Sequence, residues 1–214
     1  MTVRPEDFDR DPWVLNLYNF TIDLHSARFR EHRADELLTR FAGRKYASAT
    51  RCDRWQRFLE EVFEPHRDVI PFLQKAVGYT LTGDAREECV FVLVGSGRNG
   101  KSTLIGVLHQ LLAGYGGVAE IETFLTSRTS FLREDIADMR GRRLVSAQEP
   151  VMAGTFAESI LKWLSGGDRL GARRRTSTGM SMFPVSTCRA RSITYAACWM
   201  DAVVFWCIGI CGSR

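Results

Sequence analysis

The fold assignment depends on one motif, Gly95-Ser96-Gly97-Arg98-Asn99-Gly100-Lys101-Ser102. This stretch matches G-x-x-x-x-G-K-[ST] at every fixed position. Its three glycines let the backbone turn tightly and bring N–H groups close to phosphate oxygens. Such a loop requires a strand before it and a helix after it. Cys89 to Val94 is a continuous apolar run typical of a strand buried on both faces, and apolar residues recur at helical spacing after Lys101. The stretch therefore predicts a loop that binds nucleotide phosphates.

The residue types in this loop suit a nucleotide and its metal ion. Lys101 places a positive charge near the β- and γ-phosphates, and Ser102 offers a hydroxyl to Mg²⁺. The helix that begins near Lys101 points the positive end of its dipole at the same anion. We therefore expect ATP and Mg²⁺ as the cofactors. The predicted nucleotide-binding residues are Gly95, Ser96, Gly97, Arg98, Asn99, Gly100, Lys101, Ser102 and Thr103.

An acidic partner for the loop is predicted at the end of a second strand, where Leu144-Val145-Ser146-Ala147 is followed by Gln148 and Glu149. A carboxylate there can hold Mg²⁺ through water or polarise the attacking water. Glu149 is therefore the candidate catalytic carboxylate beside Lys101, and the candidate metal ligand beside Ser102. Because Gln148 stands where a second acid is common, either Glu149 has both roles or another carboxylate contributes. An ordinary surface glutamate is the alternative.

Strand, loop, helix and strand in this order predict an α/β fold of the P-loop NTPase type, with a largely parallel sheet. Two amphipathic helices precede it as a small helical lead-in. The first runs through Trp55 and Phe63 and is stopped by Pro65, and the second runs from Val69 to the break at Thr82-Gly83. Residues 1–50 carry short apolar runs that suggest short strands or turns.

The composition limits the remaining possibilities. The chain has 214 residues, 45% of them hydrophobic, which suits one core with a small appendage. A net charge of +4 mildly favours a polyanionic partner. Six cysteines without a C-x-x-C pair predict neither disulfides nor a zinc site. Residues 2–10 lack the apolar run of a signal peptide, and 202–211 are too few to cross a bilayer. We expect a cytoplasmic protein with no membrane segment.

Four segments also resemble a known family. Gly95 to Thr103 has the form G-x-G-x-N-G-K-S-T, which is typical of superfamily-three helicases of phages, plasmids and large DNA viruses. Leu161 to Arg173, with the sequence LKWLSGGDRLGAR, is similar to that family's L-x-x-L-[TS]-G-G-D-x-[IL]-x-A-R segment. Asp11 to Asn16 and Thr21 to Leu24 resemble the stretch before the helicase domain in phage and plasmid primase-helicases. The resemblance covers residues 10 to 175, approximately.

The resemblance implies an ATP-dependent DNA helicase with an AAA+-like core, encoded by a phage or plasmid in a bacterial host. It implies single-stranded DNA as partner and a homo-oligomeric ring, a hexamer in the intact family member. In the family, the G-G-D-x-x-x-A-R segment precedes a hairpin that grips DNA in the ring channel. Carried over to this chain, the DNA-binding residues are Lys162, Arg169, Arg173, Arg174 and Arg175, with Asp168 beside them. From the residues alone, a solvated basic turn is the preferred interpretation.

The resemblance ends after Arg175. We cannot place the family's aromatic-rich hairpin, its γ-phosphate-sensing asparagine or the arginine that reaches the neighbouring subunit's ATP. Residues 176–214 contain one acidic residue, Asp201, and four of the six cysteines. Four regions are predicted. Residues 1–50 are an N-terminal segment that corresponds to the end of a primase-associated region, and residues 51–86 are the helical lead-in. Residues 87–175 are an incomplete helicase core, and residues 176–214 are an atypical tail. The hypothesis is that this tail is a frameshifted or otherwise degenerate end.

Two alternatives stay open. A P-loop kinase acting on a small molecule would need an acceptor pocket, and no residue set for one is identifiable. A non-catalytic prophage remnant of the helicase is compatible with the unplaced asparagine and arginine. Stimulation of ATP hydrolysis by single-stranded DNA would separate these alternatives from a helicase.

Overall fold

The structure is a computed structural model. It describes residues 3–4, 7–48, 51–84, 86–87, 89–94, 98–124, 138–139, 141–149, 170–176, 179–185 and 203–208 of the chain. For residues 94, 122, 149, 170–176, 179–185 and 203–208 within that set it describes the backbone. These parts contain three α-helices, two β-sheets and a β-hairpin.

The N-terminal segment forms a three-stranded antiparallel sheet in the order β1-β2-β3. Its strands are β1 (Val14–Asn16), β2 (Thr21–Asp23) and β3 (Arg28–Arg30). The short strands expected in this segment are therefore present. β3 was not foreseen, because Arg-Phe-Arg has only one apolar residue and shows no clear alternation. Leu15 of β1 is buried in the main core, so the small sheet is anchored to the rest of the chain.

Three helices lie where the periodicity predicts them: α1 (Asp53–Val62), α2 (Val69–Leu81) and α3 (Lys101–Leu112). Each buries an apolar stripe in one common core, with Leu59 from α1, Leu73 from α2 and Leu104 from α3 among its residues. Leu111, an apolar residue of α3, is exposed. Leu104, Leu108 and Leu112 form the buried stripe, and Leu111 lies outside it because successive helical residues are rotated by about 100°.

The second sheet has the order β4-β9-β6-β5. Its strands are β4 (Val90–Val94), β5 (Gly116–Val118), β6 (Leu144–Glu149) and β9 (Val203–Ile208). β5 and β6 pair in parallel, whereas β9 is antiparallel to both β4 and β6. It follows that β4, β5 and β6 all run in one direction. The fold is a mixed helix–strand fold with a small parallel sheet, compatible with the α/β prediction.

Two expectations for this sheet need correction. Its hydrogen-bonded pairs are not largely parallel, because β9 lies between two strands that run the same way. β9 comes from the 176–214 segment, where its apolar run can sit between two apolar neighbours. β4 is not buried on both faces either, since Val92 is exposed while Phe91 and Leu93 pack against the core. Because side chains alternate along a strand, Val92 lies on the face of β4 opposite to Phe91 and Leu93.

A separate antiparallel hairpin joins β7 (Leu170–Thr176) and β8 (Gly179–Val185). The sequence analysis did not identify a hairpin at these positions. The reason is that β7 and β8 lack the aromatic-rich pattern that the family resemblance implies. Among the residues that the structure describes, no helix is both long and apolar enough to span a bilayer.

Arg143 connects the N-terminal sheet to the core through hydrogen bonds. Its guanidinium donates hydrogen bonds to the carbonyl oxygens of Val14 and Leu81, which join β1 and the end of α2. The same group lies over the ring of Tyr115, 4.4 Å from its centroid. Because Arg143 is buried, these contacts replace its hydration, and removing it would leave carbonyls buried without donors.

Candidate functional site

The described part of the predicted phosphate loop begins at Arg98, while Gly95, Ser96 and Gly97 lie outside the described residues. Arg98 and Gly100 both have left-handed backbone conformations, with φ of +61° and +83°. Gly100 caps α3, and its carbonyl accepts a hydrogen bond from the Leu104 N–H at 2.9 Å. The chain therefore turns sharply and enters the helix at Lys101, as the motif predicts for this half of the loop.

The lead-in helix α1 packs directly on this turn. A Cβ atom built on Gly100 would lie 2.6 Å from Cγ2 of Val62 and 3.2 Å from a ring carbon of Phe58. A side chain at position 100 would therefore collide with α1. The sequence indicated that the apolar residues of α1 face a core, but it held no signal that this core includes the loop.

Lys101 is held at the loop by its neighbour. Its Nζ donates a hydrogen bond to Oδ1 of Asn99 at 2.7 Å, and the residue is largely buried. Desolvation lowers the pKa of the Lys101 ammonium. Asn99 was predicted only as part of the loop, and the structure shows that it orients the lysine. Ser102 and Thr103 lie exposed in the first turn of α3, where their hydroxyls can be reached by a ligand.

The candidate acid lies at the sheet end that leads into the loop. Glu149 is the last residue of β6, as predicted, and Val94 is the last residue of β4. Both pair with Val203 of β9, one on each side. Because neighbouring strands are 4.7 to 4.9 Å apart, approximately, the two backbones are about 10 Å apart at the same level of the sheet. β9 thus sets the separation between β4, which leads into the loop, and β6, which ends in Glu149.

A polar contact links α3, the helix that follows the loop, to β6, the strand that ends in Glu149. His109 of α3 and Ser146 of β6 share a hydrogen bond, with Nε2 and Oγ 2.7 Å apart. Burial, and then the nearby charge of Arg142, lower the pKa of His109. Sequence reasoning missed this pair, because a lone histidine in an apolar helix and a serine in a strand each look ordinary. Together they fix α3 relative to β6.

The predicted Mg²⁺ ligands are Ser102 and Glu149, and both remain predictions. Ser102 is exposed at the loop helix, and only the backbone of Glu149 is described. Within the described ranges, no group of three His, Cys, Asp or Glu residues is arranged to hold a metal ion. An ATP-bound Mg²⁺ does not require such a group, because one or two protein ligands plus phosphates suffice.

The predicted DNA-binding residues are only partly described. Lys162, Asp168 and Arg169 lie outside the described residues. Arg173, Arg174 and Arg175 lie on β7, where they pair with Met182, Ser181 and Met180 of β8 in that order. Because side chains alternate along a strand, positions 173 and 175 share one face of the hairpin and position 174 has the other.

Comparison with known proteins gives two similarities. A family model described as D5 N terminal like matches residues 1–64. A protein of Acanthamoeba polyphaga mimivirus, provisionally named as a helicase, is 25% identical over 173 residues. That match covers 78% of this chain and 18% of the viral protein, so the chain spans a minor part of its relative's length.

Proposed function

We propose that this chain is the ATP-binding and ATP-hydrolysing module of a replicative DNA helicase of the phage and plasmid primase-helicase type. Two similarities support the class: the match of residues 1–64 to the D5 N terminal like model, and the likeness to a viral protein named as a helicase. The AAA+-like P-loop core is part of the proposal.

The observation that carries the proposal is the geometry at one end of the second sheet. The turn at Gly100, the buried Lys101 held by Asn99 and the start of α3 follow β4, and Glu149 ends β6 at the level of Val94. A loop that offers a lysine and a helix N-terminus suits the phosphates of ATP. A carboxylate at the same end of the sheet, on the strand beyond β9, suits the water or metal ion beside them.

Each residue has a distinct role in this proposal. Lys101 and the N–H groups at the start of α3 bind phosphate oxygens, and Asn99 keeps the lysine in place. Ser102 and Glu149 would hold Mg²⁺, which neutralises charge on the phosphates when bound. Glu149 orients the attacking water and accepts its proton.

DNA contact is proposed for the β7–β8 hairpin, whose strand β7 carries Arg173, Arg174 and Arg175 in succession. Three adjacent cations suit a phosphate backbone without base specificity. A ring of identical subunits around single-stranded DNA would bring several hairpins to one strand. Hydrolysis at full rate would then need the assembled ring.

The deciding experiment measures steady-state ATP hydrolysis by the full chain with and without single-stranded DNA. A helicase module is stimulated by DNA, a small-molecule kinase ignores it, and a non-catalytic remnant hydrolyses nothing in either case. Lys101→Ala should abolish turnover and weaken ATP binding about tenfold or more, because a charge-assisted phosphate contact is lost. Lys75→Ala, which removes an exposed lysine from α2, is the matched control. Turnover that DNA leaves unchanged would refute the proposal.

A further inference from the structure

The N-terminal sheet carries a cluster of exposed aromatic side chains, which we call the aromatic cluster: Phe20, Phe29 and Tyr46. Their exposed fractions are 37%, 42% and 43%. The ring centroids of Phe20 and Phe29 are 6.4 Å apart in an edge-to-face arrangement, and those of Phe29 and Tyr46 are 4.2 Å apart. Three rings that contact one another in a row through Phe29 and stay this accessible form an exposed apolar patch, which indicates a binding function.

Hydrogen bonds hold these rings in place without help from a ligand. The Leu17 N–H donates to the Phe20 carbonyl at 2.8 Å, which closes a tight turn at the end of β1. The Asn19 amide then joins that turn to Tyr46: its Nδ2 donates to the Tyr46 carbonyl, and its Oδ1 accepts from the Tyr46 N–H. The cluster is therefore preorganised, which lowers the entropy lost when a ligand binds.

Positive charge lies beside Tyr46 at one end of the cluster. Arg44 and Lys45 precede Tyr46 in the chain and both are exposed, and the Arg44 guanidinium donates a hydrogen bond to Oε1 of Gln110 at 3.2 Å. The Lys45 ammonium lies over the ring of Tyr18, 5.4 Å from its centroid, in the same turn as Phe20. Residues 37–52 contain four basic side chains and no acidic one. The surface therefore offers aromatic faces and cations together, a combination that suits unpaired bases joined by phosphates.

We propose that the aromatic cluster and its cations bind single-stranded nucleic acid. Bases stack on Phe20, Phe29 and Tyr46, and Arg44 and Lys45 contact the phosphates. Stacking requires unpaired bases, so single strands bind better than duplex. This inference rests on the proposed function for the class of ligand. It adds a contact surface separate from the β7–β8 hairpin, in a segment that the sequence linked to no ligand.

The test uses the full chain without ATP and a fluorescently labelled oligothymidine of about 16 nucleotides, a length within reach of one binding module. Fluorescence anisotropy should show binding that weakens roughly tenfold in Phe29→Ala and in Tyr46→Ala, because each removes a stacking face. Tyr46→Phe keeps the ring and should bind as the parent does. Phe72→Ala is the matched control, since Phe72 is 61% exposed on α2 and lies outside the cluster.

Salt dependence tests the cations separately. The double variant Arg44→Ala and Lys45→Ala should flatten the slope of log affinity against log salt by about 1.4, the value for two phosphate contacts on a single strand. Arg54→Ala, which removes an exposed arginine from α1, should leave that slope unchanged. Thermal unfolding of every variant at the parent temperature confirms that the fold is intact.

Three outcomes would overturn the inference. These are parent-like binding in both Phe29→Ala and Tyr46→Ala, equal affinity for the matching duplex, and self-association of the parent chain that Phe29→Ala abolishes. The last result would mean that a second copy covers the cluster. Failure of the proposed function looks different, because hydrolysis would then ignore DNA while oligothymidine binding still depended on the cluster. Lys101→Ala should leave this ATP-free binding unchanged.

Discussion

Gly100 and Val62 are packed so tightly that a methyl group added at Gly100 would come within 2.6 Å of Cγ2 of Val62. The contact joins the end of the lead-in helix α1 to the turn that starts the loop helix α3. Displacement of α1 therefore changes the space around the loop. Helix α1 is therefore part of the candidate nucleotide site, although the sequence predicts it as part of a separate region.

Gly100→Ala should lower both stability and ATP affinity. An alanine at φ of +83° loses about 1–2 kcal/mol relative to its preferred conformations, and its methyl group also meets Val62. Urea unfolding and titration with a fluorescent ATP analogue measure the two effects. Adding Val62→Ala should recover part of the loss by removing the collision. Gly106→Ala in α3 is the control, because open space surrounds Gly106, and it should gain up to about 1 kcal/mol.

Asn99→Asp should weaken ATP binding more than Asn99→Ala does. Both remove the amide, whose Oδ1 accepts from Lys101 Nζ at 2.7 Å. The aspartate also adds a negative charge that competes with phosphate for the lysine and repels the phosphates directly. Calorimetric titration with ATP measures the order of affinities. Parent-like affinity in Asn99→Ala would show that Asn99 does not position Lys101 for phosphate.

Glu149→Gln should separate ATP binding from hydrolysis. The amide keeps the shape of the side chain but cannot accept a proton, so turnover should fall by about 10² or more while affinity falls modestly. Gln148→Ala, one residue earlier on β6, should keep turnover near the parent rate. Hydrolysis at the parent rate in Glu149→Gln would mean that the catalytic carboxylate lies elsewhere.

The two faces of the β7–β8 hairpin should differ in their effect on DNA binding. Arg173 and Arg175 share a face, whereas Arg174 has the other. If the face with positions 173 and 175 contacts single-stranded DNA, the double variant Arg173→Ala and Arg175→Ala should flatten the slope of log affinity against log salt by about 1.4. Arg174→Ala should then leave that slope unchanged. Anisotropy titrations at several salt concentrations measure this. A loss of DNA affinity in Arg174→Ala alone would mean that the opposite face of the hairpin contacts the DNA.

His109 should make the chain less stable in mild acid. Burial lowers the pKa of His109 in the folded state below the value of 6.5 expected when unfolded. At lower pH the unfolded chain therefore binds more protons, and stability falls as pH drops from 6.5 towards the folded pKa. Urea unfolding at about pH 7.5 and 5.5 should show this loss, and His109→Asn should reduce it. His66→Asn, an exposed histidine, should leave the loss intact.

Much of this protein follows from local sequence. The glycine and lysine spacing of 95–102, the periodicity of α1 to α3 and the apolar strand that ends in Glu149 are all local patterns, and the structure has each helix and strand there. Local patterns are readable because backbone preference and side-chain periodicity depend on residues within one or two turns. The same reasoning could not foresee β3 or β9, whose short runs become strands only beside suitable neighbours.

Relationships between distant segments were decided by tertiary structure alone. Val62 meets Gly100 across 38 positions, and β9 places Val203 between Val94 and Glu149, although these strands are far apart along the chain. Tyr46 reaches Phe29 because Asn19 holds its backbone. Such contacts depend on loop closure and on packing of the whole core, which no local pattern encodes. The residue types at the candidate site were therefore readable from sequence, whereas their packing partners required the fold.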